Sequence, residues 1–275
     1  MYIKAFQQVS MFDVAVVGGK GASLGEMTKA GIQVPNGFVI TTNAFKDFSK
    51  NEVSTLFKDE LIKAFDQLGT KRVAVRSSAI AEDSSSASWA GQLESYLNVA
   101  QENLLDSIIK CWDSINSERV KNYALQNKVP SSQLVVAVIV QKMVDSEVSG
   151  VMFTVNPVTN NKDEIMIEAG YGLGELIVQG EIIPDNYLIN KIKLSITEST
   201  QGSQEIMLIY QNGENEKIRV PDNLKSKPAL NTSQIIELAK LGKRIEDHYN
   251  SPQDIEWAME DNKFYIVQSR PITTL

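Results

Sequence analysis

Asp254-Ile255-Glu256-Trp257-Ala258-Met259-Glu260, followed by Asp261-Asn262-Lys263 and Phe264-Tyr265-Ile266-Val267-Gln268-Ser269-Arg270, reads as a β-hairpin with unlike faces. Asp254 and Glu256 lie two apart and project from one side, while Ile255, Trp257 and Met259 take the other. Gln268 and Arg270 are likewise two apart in the return strand. Opposed residues of an antiparallel pair face alike, so pairing 256 with 268 and 254 with 270 puts all four on one side. That register pairs Glu260 with Phe264 and predicts a three-residue loop, Asp261-Asn262-Lys263, with Asn262 suited to a left-handed conformation. A two-residue Asp261-Asn262 turn would, without a bulge, turn Gln268 to the opposite face. Two carboxylates and an amide oxygen are hard ligands for Mg²⁺, and Arg270 beside them suits phosphate. A polar face with cross-strand ion pairing accounts for the same residues.

Outward from the hairpin, strands and helices are mixed without strict βαβ alternation, which predicts an α+β class. Ala15-Val16-Val17 reads as an extended run entering Gly18-Gly19-Lys20-Gly21, with a helix to Ala30 and a stop at Gly31. Short strands are expected at Phe38-Val39-Ile40 and at Val73-Ala74-Val75, the latter leading into Arg76-Ser77-Ser78. Apolar spacing predicts one long helix over Asn103 to Asn127. The continuous run Leu134 to Val140 reads as a strand covered on both sides. Strands at Val151 to Val155 and Glu164 to Glu168, a hairpin around Gln211-Asn212-Gly213-Glu214, and a helix capped by Ser233 and running to Tyr249 complete the pattern.

The chain has 275 residues, 43% of them hydrophobic, enough for a large core and too many for disorder. No apolar run is long enough to span a bilayer, and the N-terminus carries no export signal. One cysteine, Cys111, excludes an internal disulfide framework and fits a reducing, cytoplasmic setting. The net charge of −7 opposes nucleic-acid binding, so an anionic ligand must meet a local cluster of cations.

Two such cations stand out. Gly19-Lys20-Gly21 enters a helix and lacks the P-loop spacing, yet amides at a helix start with a lysine suit an anion. A tight strand-to-helix turn with an exposed lysine is the alternative. Arg76 at the end of its strand could fork onto phosphate or pair with Glu82 or Asp83. His248, the single histidine, reads as a solvated helix residue and Cys111 as packing. A hydrolase Gly-x-Ser-x-Gly elbow and zinc-type spacing are absent.

Taken in order, these segments resemble the N-terminal ATP-binding domain of the phosphoenolpyruvate synthase and pyruvate phosphate dikinase family, shared with rifampicin phosphotransferases. The stretches that carry the resemblance include Val17 to Met27, Val34 to Val39, Ala74 to Ser78, Ala90-Gly91-Gln92 and Gln141 to Val144. Ser149 to Thr154, Tyr171 to Glu175, Pro184-Asp185, Asp254 to Ala258 and Val267 to Thr273 continue it.

The resemblance implies an ATP-grasp fold holding ATP between two lobes, expected at about 1–140 and 141–275 of a single domain. It implies phosphate contacts at Lys20, Arg76 and Arg270, with Gly91 and Ser95 on the phosphate loop. Ser95 stands where relatives often have Thr. Gln141 and the backbone around Met143 and Val144 would meet adenine. Glu256 and Gln268 would hold Mg²⁺, with Asp254 as a further contributor. Family members pass phosphate from ATP to a histidine on a swivelling domain and on to pyruvate or another acceptor. His248 matches no such histidine motif, so that partner is expected on another domain or chain. The segment from Phe48 to Val73 is also shorter than the helical insertion of relatives. The implied activity is ATP-dependent phosphoenolpyruvate synthesis from pyruvate; the alternatives are a rifampicin-type antibiotic phosphotransferase and a non-catalytic ATP sensor.

Overall fold

A computed structural model describes residues 1–49, 51–80, 94–126, 130 and 134–273. The chain forms two units, Met1–Met143 and Val144–Leu275.

The first unit contains β1 (Ile3–Ala5), α1 (Val14–Lys29), β2 (Gly37–Ile40), α2 (Thr42–Phe48), α3 (Thr55–Gln67), β3 (Val73–Ala79), β4 (Ser95–Val99), α4 (Leu104–Asp113), α5 (Glu118–Gln126) and β5 (Val136–Lys142). Its strands form an antiparallel sheet in the order β1-β2-β5-β3-β4. The β-branched run of β5 lies in the middle and is buried from Val136 to Gln141. One face of the sheet packs Phe38, Ile40, Val73, Val75, Val138 and Val140 against Phe57 of α3 and Ile108 and Trp112 of α4. The other face meets α1, where the methyl Cγ2 of Val39 closes on Gly21.

Three expectations are corrected in this unit. Ala15-Val16-Val17 belongs to α1 and is helical, with the break falling at Gly18 (φ 71°, ψ 172°). β3 continues through Ala79, so Arg76 sits in mid-strand and not at its end. The helix expected over Asn103 to Asn127 is two helices: a 3₁₀ turn at Ser114–Asn116 and an extended Ser117 (φ −63°, ψ 149°) separate α4 from α5. Ser117 restarts the second helix by accepting the Val120 amide at 3.3 Å, a capping bond that competes with helix continuation.

The second unit contains β6 (Val148–Phe153), β7 (Glu164–Tyr171), α6 (Glu175–Val178), β8 (Asp185–Asn190), β9 (Ser195–Thr200), β10 (Ile206–Gln211), β11 (Glu214–Arg219), α7 (Asp222–Lys225), α8 (Thr232–Tyr249), β12 (Gln253–Glu260) and β13 (Lys263–Pro271). Six strands form an antiparallel sheet in the order β13-β12-β6-β7-β8-β9, and β10-β11 is a separate hairpin. α8 packs Gly242 against Met152 on the face that also carries Ile255, Trp257 and Ile167. Its N-cap is Asn231, whose side chain accepts the Gln234 amide at 3.0 Å; Ser233, expected in that role, lies inside the first turn and donates to Asn231. Both units are helix-backed antiparallel sheets, so the α+β class is the one observed. Among the described residues, no helix is long and apolar enough to cross a membrane.

Candidate nucleotide-binding site

The C-terminal hairpin pairs Glu256 with Gln268 and Asp254 with Arg270, which places all four on one face of the second unit's sheet. The turn that delivers this register differs from the expected one. Glu260 pairs with Lys263, and the loop is two residues, Asp261 and Asn262, both left-handed (φ 51° and 56°). Positive φ at both central residues is the twist that suits a tight hairpin. Taken alone, that turn would set Gln268 on the wrong face. A bulge between Glu256 and Trp257, with Val267 as the extra residue opposite, restores the alternation.

Gln268 is buried at 4% exposure, while Asp254, Glu256 and Arg270 are half-buried. Arg270 donates from Nε at 2.9 Å and Nη2 at 2.7 Å to the same Asp254 oxygen. Asp254 is thereby the counter-ion that orients the guanidinium. Burial holds the Asp254 carboxyl above its ordinary range, Arg270 pulls it down, and Glu256 pushes it up.

Glu168 was not legible as a member of this group. It pairs with Val151, which pairs with Glu256, so Glu168, Val151, Glu256 and Gln268 form one row across four strands, all facing alike. Burial raises the Glu168 carboxyl above its ordinary range, and the charge of Asp254 adds to the rise. The available signal was a lone acid in the apolar run Ile165-Met166-Ile167-Glu168-Ala169. No three His, Cys, Asp or Glu side chains among the described residues converge as a metal cage. Mg²⁺ does not require one: it keeps waters and takes its other ligands from one or two carboxylates and substrate phosphates. An opposed carboxylate and amide on one face, with a further acid in the same row, fit that demand.

In the first unit, Arg76 is half-buried in a strand whose other residues are buried, and it pairs directly with Ser95 of β4. Arg76, Ser95 and Ser78 share the sheet face that α1 covers, since Ser78 bonds to the backbone of Val17 and Gly21. Lys20 is half-buried in α1, two residues past the break at Gly18. Its charge reaches Cys111, whose thiol burial nonetheless pushes up to about 12. At that value Cys111 stays protonated and serves as packing. Gly91, together with Glu82 and Asp83, lies outside the described residues.

Gln141 is buried at 2% exposure, where its amide donates to the Pro35 carbonyl at 3.5 Å. The Met143 amide donates to the Arg72 carbonyl at 3.2 Å, and Val144 is buried. Asp185 of the Pro184-Asp185 stretch is structural. Its carboxylate accepts from the Tyr187 hydroxyl at 3.0 Å, the Gly202 amide at 2.8 Å and the Ala229 amide at 2.6 Å, tying two loops to the start of β8.

The chain belongs to the family described as pyruvate phosphate dikinase, AMP/ATP-binding domain, which it matches over residues 14–55 and 48–275. The α+β class expected with that family is what the two helix-backed sheets present. Among its relatives are a probable phosphoenolpyruvate synthase of Methanothermobacter thermautotrophicus, 38% identical over all of this chain and 46% of the relative, and the phosphoenolpyruvate synthase of Pyrococcus furiosus, 38% identical over all of this chain and 44% of the relative. The rifampicin phosphotransferase of Bacillus cereus is 36% identical over all of this chain and 36% of that protein. The chain thus spans less than half the length of these relatives. Its alignment with the Methanothermobacter protein runs over 317 residues, more than the 275 of the chain, so that relative carries internal segments absent here.

Proposed function

We propose that this chain is the Mg-ATP-binding module of a dikinase-type phosphotransferase, passing phosphate from ATP to a histidine on another domain or chain. Membership of an AMP/ATP-binding family along nearly the whole chain carries the reading. Phosphoenolpyruvate synthesis from pyruvate is the parent activity favoured by the relatives that bear that name. Transfer to an antibiotic is the second reading, supported by the rifampicin phosphotransferase relative.

Phosphoryl transfer asks a protein mainly for positioning and charge neutralisation. Lys20 and Arg76 of the first unit and Arg270 of the second are proposed to bind the phosphates, with Ser95 opposite Arg76 and Gly91 on the phosphate loop. Asp254 holds Arg270 in place and is a further contributor toward the cation. Glu256 and Gln268 would hold Mg²⁺, which when bound neutralises phosphate charge. Gln141, buried and bonded to Pro35, would brace the segment whose backbone at Met143 and Val144 meets adenine.

Calorimetry with ATP and Mg²⁺ tests the reading, and no heat of binding from the wild-type chain would end it. Glu256→Gln removes one charge from the cation site while leaving Lys20, Arg76 and Arg270 in place. It is expected to cut phosphoryl transfer to a supplied histidine domain by about 100-fold, the scale of losing one electrostatic partner of a transition state, while ATP affinity falls far less. Equal losses in both would assign Glu256 to ground-state binding instead.

A further inference from the structure

We propose that the buried Ser78 hydroxyl is a positioning group that breaks α1 at Gly18 and thereby sets where Lys20 leaves the helix. The inference rests on the phosphate role proposed for Lys20.

A continuous helix would close a bond from the Gly21 amide to the Val17 carbonyl, four residues back. The Ser78 hydroxyl, arriving from β3, stands in that step. The Gly21 amide donates to Ser78 Oγ at 3.1 Å, and Ser78 Oγ donates to the Val17 carbonyl at 2.9 Å. A side chain inserted into the helical ladder is one of the few identifiable causes of a sharp kink. Here the kink is at Gly18, whose φ of 71° and ψ of 172° fall where glycine alone is at ease. A Cβ on Gly18 would stand 2.3 Å from both Ser78 Oγ and the Ser78 carbonyl oxygen, so contact and conformation close the position to any side chain.

The break makes a second helix start. Gly18 takes the N-cap place, Gly19 and Lys20 the first two helical positions, and Gly21 the third. An N-cap side chain ordinarily accepts the amide of the second or third position, which a glycine cannot do. Ser78 supplies that oxygen from a neighbouring strand. Lys20 therefore leaves from a first turn, at the positive end of the segment that runs on to Lys29, and not from mid-helix. Ser78 is two residues from Arg76 on the same face of β3, so one strand carries the guanidinium and also the hydroxyl that aims the lysine. Ser78 itself is fully buried at 0% exposure, with no route to a ligand. Its effect must pass through the backbone it holds.

Without the hydroxyl, Gly21 and Val17 can close their own bond, and the helix runs straight through Lys20. Ser78→Ala is expected to weaken ATP binding by the full chain about tenfold, the scale of a lost buried hydrogen bond transmitted to one charge contact. Adenosine, which has no phosphates, should bind the variant and the wild type alike. In a Lys20→Met background, Ser78→Ala should cost nothing further, because the group it aims is gone. Wild-type ATP affinity in Ser78→Ala, or the same extra loss in both backgrounds, would overturn the proposal. Should the alanine variant not fold, Ser78→Thr keeps the hydroxyl and Ser78→Cys keeps the volume with a weak donor. Threonine is expected to bind ATP better than cysteine, and the reverse order would overturn the proposal. A wild-type chain that binds no ATP refutes the functional reading, whereas loss in Lys20→Met without loss in Ser78→Ala refutes only the role of Ser78.

Discussion

Glu168 puts a cost on the polar face of the second unit. Its carboxyl is raised by burial and by Asp254, so the folded chain binds that proton more tightly than the unfolded chain does. Stability therefore falls as pH rises from the unfolded carboxylate range through the folded one, and the loss is complete once the folded carboxyl has ionised. Glu168→Gln removes the charge that burial penalises. In the absence of divalent cations its melting temperature should exceed that of the wild type by a few degrees at neutral pH, and the gap should close near about pH 3.5, where both carboxyl states are protonated. A gap that widens on acidification contradicts the assignment. Retaining such an acid at a cost in stability is what a site for a cation would explain. Asp254 with Glu256, and Gln268 with Arg270, announce their face because each pair repeats at a spacing of two. Glu168 has Met166 and Gly170 at that spacing, so nothing local marks its face. Only the pairing through Val151 brings it into the row.

At the scale of elements, runs rich in β-branched residues were legible, and their breaks were not. β5 and the strands of the hairpin follow from composition and alternation. The bulge at Val267 does not, because it compensates a turn whose length is set by the twist of the paired strands. The kink in α1 is equally hidden: its cause, Ser78, lies 61 residues from Val17 in sequence. β9, a mostly exposed edge strand of Ser195-Ile196-Thr197-Glu198-Ser199-Thr200, has too little apolar alternation to stand out. Glycines separate two kinds of close packing here. A Cβ on Gly150 would stand 1.9 Å from the Glu168 carbonyl oxygen, which belongs to the neighbouring strand and cannot move away. A Cβ on Gly242 would meet Met152 Cε and Sδ at 2.6 Å, the flexible end of a side chain. Gly150→Ala should therefore cost about 3 kcal/mol or more. Gly242→Ala should stay within about 1 kcal/mol of wild type, helix propensity offsetting the repacking of Met152. Urea midpoints for the two variants check the contrast, and equal losses would mean that the backbone of β7 yields as easily as a methionine.

For the molecule as a whole, the proposed phosphate transfer needs an acceptor. His248 is the single histidine of the chain, so it must be considered as an acceptor. It lies exposed on the last turn of α8, with its ring edge-on to Tyr249 at 5.1 Å. α8 covers the face of the second sheet that carries Met152, Ile255 and Trp257. Glu256, Gln268 and Arg270 project from the opposite face. A phosphoryl group held by those residues would have to cross a closed sheet to reach His248, whereas direct transfer requires donor and acceptor in line at contact distance. The acidic chain, at −7, adds no general attraction that would hold a second copy's nucleotide against the histidine. The chain incubated with Mg-ATP should therefore carry no phosphate on His248 by mass spectrometry, and His248→Ala should leave transfer to a supplied family histidine domain unchanged. Phosphate appearing on that domain from the same mixture would place the acceptor on a partner. Rapid labelling of His248, lost in the alanine variant, would instead make this chain its own acceptor and remove the need for one.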